Sequence, residues 1–148
     1  MLNIKQVGIK DVNFGENVVI IEPVNLYGFT IGDNVSIGPS VEIQKSVSIG
    51  NDCKIQSYLF ICELVTIGND CFISHGVMFI NDLIKTGKPA GGKKEIWKST
   101  CIGNNVSLGS NSTILPVTIC IMLLLGQALS LQKTFSISVS MQATPQIK

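Results

Sequence analysis

Ile31-Gly-Asp-Asn-Val-Ser, Ile49-Gly-Asn-Asp-Cys-Lys and Ile67-Gly-Asn-Asp-Cys-Phe decide how this 148-residue chain is read. The phrase starts at 31, 49 and 67, eighteen residues apart, and returns as Ile102-Gly-Asn-Asn-Val-Ser. Between its occurrences isoleucine recurs at every sixth position: Ile31, Ile37, Ile43, Ile49, Ile55, Ile61, Ile67 and Ile73. An α-helix does not bring residues i and i+6 to one face, and plain strand alternation has no use for Gly-Asn at fixed offsets. Six-residue units nested in eighteen-residue units describe a triangular coil of three short strands, each followed by a corner. Self-similarity at such a fixed period is the signature of a parallel β-helix. An ordinary β-sandwich with frequent turns leaves the even spacing from Phe14 to Phe79 unexplained.

In this register Ile31, Ile49 and Ile67 stack into one inward column, with successive coils about 4.8 Å apart, the spacing of neighbouring strands. Val35, Cys53 and Cys71 form a second column of small residues where the walls converge. Gly32, Gly50 and Gly68, each followed by Asn or Asp, mark bends. Gly adopts positive φ freely, and Asn and Asp tolerate it better than other residues. No single coil can bury its apolar face alone, so each stabilises its neighbours.

Length and composition fit one elongated domain. Strand-forming Val, Ile and Thr are abundant, and the mean hydropathy of +0.40 reflects the aliphatic columns. A net charge of +1 gives no footprint for nucleic acid or an anionic membrane surface. The opening Met1-Leu-Asn-Ile-Lys-Gln lacks the apolar core of a signal peptide, and no run reaches membrane-spanning length. The expected compartment is the cytosol. Cys53, Cys62, Cys71, Cys101 and Cys120 form no CxxC pair. Cys53 and Cys71 read as core filler in a reducing compartment, and no metal site is expected.

The rhythm breaks once in mid-chain. After Phe79 come Ile80-Asn-Asp-Leu-Ile and Lys85-Thr-Gly-Lys-Pro-Ala-Gly-Gly-Lys-Lys-Glu95, before Ile96 and Ile102 resume the beat. Three glycines, a proline and four lysines fit no buried coil, so about 82–95 is expected to leave the solenoid as a surface loop. Directly before it lies Ser74-His75-Gly76, with the chain's single histidine. At a coil corner beside a loop, a neutral imidazole can take a proton from an attacking amine or hydroxyl near pH 7. The alternative is a purely structural corner residue. Trp97 is expected to pack at the base of the loop rather than stack on a nucleobase.

These repeats resemble those of the hexapeptide-repeat acyltransferases. More narrowly, His75-Gly-Val-Met-Phe-Ile-Asn-Asp82, a loop, and Ile102-Gly-Asn-Asn-Val-Ser-Leu-Gly-Ser-Asn-Ser-Thr-Ile-Leu-Pro-Val117 resemble the branch that N-acetylates amino-deoxy nucleotide sugars for surface polysaccharides. The resemblance covers about residues 14–120. It implies an all-β, left-handed parallel β-helix at 1–120, a homotrimer, and acetyl-CoA as co-substrate without a metal. The left hand comes from the resemblance alone, since general rules for parallel crossovers give the opposite hand. It also implies a cleft between two subunits in which His75 acts as base or orients the acceptor. Asn81 and Asp82 would hold the nucleotide sugar, and Gly109 and Ser110 would meet the pantetheine of the coenzyme.

The resemblance ends after Cys120. Ile121-Met-Leu-Leu-Leu-Gly-Gln-Ala-Leu-Ser-Leu-Gln-Lys-Thr-Phe135 carries no Gly-Asn corner, and a Ser-rich stretch follows. Restoring one base just after Cys120, with suitable codons, yields Asp-Asn-Val-Ile-Ile-Gly-Ala-Gly-Ser-Val-Val-Thr-Lys-Asp-Ile, the family's next coils. Residues 121–148 are therefore expected to be an out-of-frame, irregular tail that leaves the ladder. An uncapped solenoid end exposes strand edges that invite aggregation, and without the Gly-Ala-Gly coil, which the resemblance ties to the coenzyme, acetyl-CoA is expected to bind weakly.

Two alternatives to N-acetylation remain open at this stage. One is O-acetylation of a sugar or serine hydroxyl. The other is a non-catalytic β-helix remnant used for binding or assembly. A γ-type carbonic anhydrase shares the fold, but its zinc needs three histidine ligands and this chain has one histidine.

Overall fold

Parallel strands of two to four residues line three sides of a triangular solenoid, seven on the first side and six on each of the others. The computed structural model describes residues 1–84, 87–91 and 93–119, with two further strands at Leu124–Leu125 and Ser130–Leu131. The first side runs from Ile9–Lys10 through Val24–Tyr27, Val41–Ile43, Phe60–Ile61, Met78–Phe79 and Thr113–Ile114 to Ser130–Leu131. The second runs from Asn13–Phe14 through Thr30–Ile31, Ser48–Ile49, Val65–Ile67 and Thr100–Ile102 to Thr118–Ile119. The third runs from Val19–Ile20 through Ser36–Ile37, Lys54–Ile55, Phe72–Ile73 and Ser107–Leu108 to Leu124–Leu125.

The columns fall where the six-residue beat puts them. Ile31, Ile49, Ile67, Ile102 and Ile119 pair in series along the second side, and all are buried. Ile37, Ile55, Ile73 and Leu108 do the same on the third. Val35, Cys53, Cys71 and Val106 fill the narrow corner between those sides and are likewise buried. Burial of this kind stabilises by about 25 cal/mol per Å² of apolar surface, and here each coil needs the next to supply it.

The Gly-Asn phrase has a definite physical job at that same corner. The side-chain Oδ1 of Asn51 accepts the Asp33 N–H at 2.9 Å, Asn69 accepts the Asn51 N–H at 2.8 Å, and Asn104 accepts the Asn69 N–H at 2.8 Å. Each amide lies across the glycine of the coil before it. A Cβ on Gly32, Gly50 or Gly68 would run into Asn51, Asn69 or Asn104. The next residue but one, Asn34, Asp52, Asp70 or Asn105, turns the corner at φ between 55° and 57°. At the corner between the third and first sides that conformation falls on Ser40, Tyr58, Gly76 and Asn111, with φ of 58°, 60°, 70° and 59°. For Tyr58 it costs about 1–2 kcal/mol, and the stacked coils hold it there.

The chain leaves the solenoid after Ile80 and rejoins it at Thr100, whose N–H donates to Leu64 O at 3.0 Å. The Lys98 N–H donates to Asn81 O at 3.0 Å and closes the base of the excursion, which includes a short 3-10 helix at Lys94–Ile96. Most of its described residues are exposed, with Ala90 buried.

One expectation about the tail is corrected. The ladder does not stop at Cys120, because Leu124–Leu125 pairs with Ser107–Leu108 and Ser130–Leu131 pairs with Thr113–Ile114. The reason is in the spacing: Ile119, Leu125 and Leu131 stand six apart, so two rungs keep the register without a Gly-Asn corner. The other residues of 120–148 lie outside the described residues.

Truncating Ile49 to Ala is expected to cost about 2–5 kcal/mol, read by urea denaturation, because the column above and below cannot collapse into the gap. The exposed neighbour Lys54→Ala should change stability by no more than about 0.5 kcal/mol. Equal costs for the two variants would contradict the stacked column.

Candidate functional site

The corner between the third and first sides carries the histidine. Strand register sets Ile55 beside Ile73 and Ile73 beside Leu108, with Phe60 beside Met78 and Met78 beside Thr113. The four-residue corners between them therefore stack Ser57, His75 and Ser110 one above another. His75 is exposed, and its Nδ1 lies 2.8 Å from Ser57 Oγ. The backbone around it is tied on both sides: Asn111 N–H donates to His75 O at 2.8 Å, and Gly76 N–H donates to Ser57 O at 3.1 Å. Gly76 suits this corner, since its φ is 70° and a Cβ would displace the Asn111 side chain, although Ser40, Tyr58 and Asn111 take the same turn in other coils. His75 closes one end of a groove of about 290 Å³ lined by Ser36, Gly38, Gln56 and Ser57, with exposed Val19 and Ile21 beyond.

Ser110 thus shares the histidine corner. Gly109, beside it, uses its carbonyl to accept from Ser112 N–H at 3.3 Å and Ser112 Oγ at 2.6 Å. Ser112 is fully buried, so this bond satisfies a hydroxyl that would otherwise be costly.

Asn81 and Asp82 occupy a different corner, between the first and second sides. The Asn81 amide donates to Glu63 O at 3.1 Å. Asp82 accepts the Ile84 N–H at 2.9 Å and the Ala90 N–H at 2.7 Å, one on each carboxylate oxygen. Those backbone bonds hold its carboxyl below the ordinary value of 3.8. Next to them Lys94 Nζ bridges both oxygens of Glu63, at 2.7 and 2.9 Å, and stands 5.0 Å above the Trp97 ring. The ion pair raises the Lys94 pKa. Trp97 therefore packs at the base of the loop under a cation, a contact of the cation–π kind.

The structure brings His75 together with Ser110, and Asn81 together with Asp82. It does not bring the two pairs together, since they sit at the two corners flanking Met78–Phe79. Sequence reasoning missed Ser57, Glu63 and Lys94. Ser57 had a signal, because counting eighteen residues back from His75 lands on it. Glu63 and Lys94 had none, because 31 residues and a loop separate them.

Cys53, Cys62 and Cys71 stay with the core, and Cys101 is exposed. Cys53 and Cys71 each direct Sγ at a glycine carbonyl of the following coil, Gly68 O and Gly103 O, both at 3.1 Å. Burial pushes the Cys62 thiol up to about 12, which leaves it unreactive at neutral pH. Among the described residues, no three His, Cys, Asp or Glu side chains gather as a metal site, and no helix is long and apolar enough to cross a membrane.

Comparison with known proteins agrees with the repeat fold. Residues 30–63 match the family described as bacterial transferase hexapeptide (six repeats), and residues 100–120 match the hexapeptide repeat of succinyl-transferase. Two separate segments of the chain thus match hexapeptide-repeat transferase models. Among solved structures it is similar to a point mutant of AntD, an N-acyltransferase from Bacillus cereus in complex with dTDP and coenzyme A. The identity is 19% and the TM-score 0.67, over 84% of this chain and 75% of that one. At that identity the likeness speaks to the fold. A second AntD mutant in the same complex aligns at 17% identity and a TM-score of 0.47, over 86% of this chain and 77% of that one. No curated protein sequence matches at significance.

Removing the Asp82 carboxylate by Asp82→Ala should speed amide hydrogen exchange at Ile84 and Ala90 in this hexapeptide-repeat chain. Because the folded pKa is depressed, the tie is present above about pH 3.8 and is lost as pH falls through the lower folded value. Unchanged exchange at both amides would show that the loop base is held by something else.

Proposed function

We propose that this hexapeptide-repeat protein is an acetyl-CoA-dependent acetyltransferase that N-acetylates an amino-deoxy nucleotide sugar, in the cytosol, for surface polysaccharide synthesis. The observation that carries the reading is the corner column Ser57–His75–Ser110: a single exposed histidine, held through Nδ1, at the end of a groove and directly under the serine tied to the coenzyme by resemblance. The repeat family and the CoA and dTDP found with AntD support it.

In this reading the acceptor's amine attacks the thioester carbonyl of acetyl-CoA. A C–N bond forms, the C–S bond breaks, and the thiolate of coenzyme A leaves. His75 takes the proton that the amine sheds, which suits an imidazole near neutral pH. Asn81 and the Asp82-tied loop hold the acceptor. They stand a full triangle side away from His75 in one chain, so the complete site joins the histidine corner of one protomer to the loop of another in a homotrimer.

With the family's C-terminal coils restored, His75→Ala should lower kcat by about 10²–10⁴, the usual worth of general-base catalysis, with KM for acetyl-CoA little changed. Asn81→Ala should raise KM for the nucleotide sugar more than it lowers kcat. Unchanged kinetics in both variants would remove this site from the chemistry.

The altered sequence after Cys120 is proposed to weaken coenzyme binding. Two rungs of the ladder persist there, but the Gly-Ala-Gly coil of the restored frame is absent. Calorimetric titration should give the restored version at least about tenfold higher affinity for acetyl-CoA, a difference of about 1.4 kcal/mol. Equal affinities would mean that the two rungs replace the missing coil.

A further inference from the structure

We propose that Ser57 is the positioning residue that fixes which nitrogen of His75 carries the proton, by accepting a hydrogen bond from Nδ1–H. This rests on His75 acting as proton acceptor, as set out above. Ser57 Oγ and His75 Nδ1 are 2.8 Å apart, a full-strength hydrogen bond that two arrangements satisfy. A serine hydroxyl both donates and accepts, and a neutral imidazole has one N–H and one lone pair. If Ser57 donated, Nδ1 would hold the lone pair and Nε2 the hydrogen, and no nitrogen would be left to take a proton. If Ser57 accepts, Nε2 keeps its lone pair for the groove that His75 lines. With Nδ1 engaged, Nε2 is the nitrogen left to serve that groove.

The surroundings assign the task to Ser57. Among the described residues it is the side chain hydrogen-bonded to the ring, and no carboxylate takes that place. Orientation of a histidine by the partner of its second nitrogen is general, and the partner is commonly a carboxylate or a carbonyl. Here a neutral hydroxyl does it from one coil below. Its backbone is fixed by two ties: Ser57 O accepts from Gly76 N–H at 3.1 Å, and the following Tyr58 donates its N–H to Pro39 O at 3.1 Å. The left-handed turn at Tyr58, φ 60°, is part of what aims this corner. The coil below therefore supplies the orienting group for His75, through the same eighteen-residue register that builds the core.

The chain has one histidine, so its ring nitrogens can be read without assignment. The full chain, labelled with ¹⁵N in the imidazole, is observed by long-range ¹H–¹⁵N correlation at a pH above the imidazole titration. The wild type should show a protonated Nδ1 and an unprotonated Nε2. Ser57→Ala should move most of the population to Nε2–H, and Ser57→Thr should restore the original tautomer. Matching urea midpoints establish that the variants are folded. A wild-type ring protonated at Nε2, or the same tautomer in the wild type and Ser57→Ala, would overturn the proposal. In the version with restored coils, Ser57→Ala should also lower kcat by about 10–100-fold with KM within about twofold, and Ser57→Thr should recover it. A tautomer that shifts while kcat stays constant would uphold the role of Ser57 and instead overturn His75 as the base.

Discussion

A side-chain amide laid across a glycine holds this molecule in register. At one corner, in three successive steps of the stack, an asparagine carbonyl accepts the N–H of the residue one coil below, and it can do so only because the residue beneath it has no Cβ. A hydrogen bond of this kind contributes only about 1 kcal/mol net. Its larger effect is on register. It matches each Gly-Asn pair to the next and so forbids a slip by one residue, which would turn every isoleucine of the column outward. The aliphatic core supplies the driving force, and the corner ladder specifies which stack is formed.

Function in this scaffold follows from register. Because every coil repeats the same three corners, a residue at one corner is always above and below its counterparts. His75 acquires Ser57 from beneath and Ser110 from above with no dedicated structure built to bring them together. The excursion opens at the neighbouring corner, where Asp82 and the Glu63–Lys94 pair tie its base. The two candidate corners are separated by the side they flank. The proposed chemistry therefore needs a second protomer to complete the site.

The period made most of the fold legible in advance. Eight isoleucines at six-residue spacing and four Gly-Asn or Gly-Asp phrases leave little freedom in strand placement, corner placement or the inward column. The histidine corner was legible for the same reason, and Ser57 could have been read by counting one coil back. The roles of Asp82, Glu63 and Lys94 could not. They depend on the path of a loop whose residues carry no period, and backbone amides such as Ile84 and Ala90 leave no trace in a side-chain pattern. The tail misled for a physical reason too. Consecutive leucines at 123–125 hide the six-residue step from Ile119 to Leu125 and Leu131, and the corner residues that usually announce a coil are missing.

In the proposed assembly one site is built from two different corners on two chains. This arrangement is tested most directly by mixing protomers, with the restored C-terminal coils in place. Assemblies of His75→Ala alone and of Asn81→Ala alone are measured for acetyl transfer to a nucleotide-linked amino sugar, then dissociated together and reassembled. The mixed assemblies should regain a substantial share of wild-type kcat/KM, because some interfaces then pair an intact His75 corner with an intact Asn81 loop. Activity in the mixture no higher than the mean of the two separate variants would contradict a site shared between protomers.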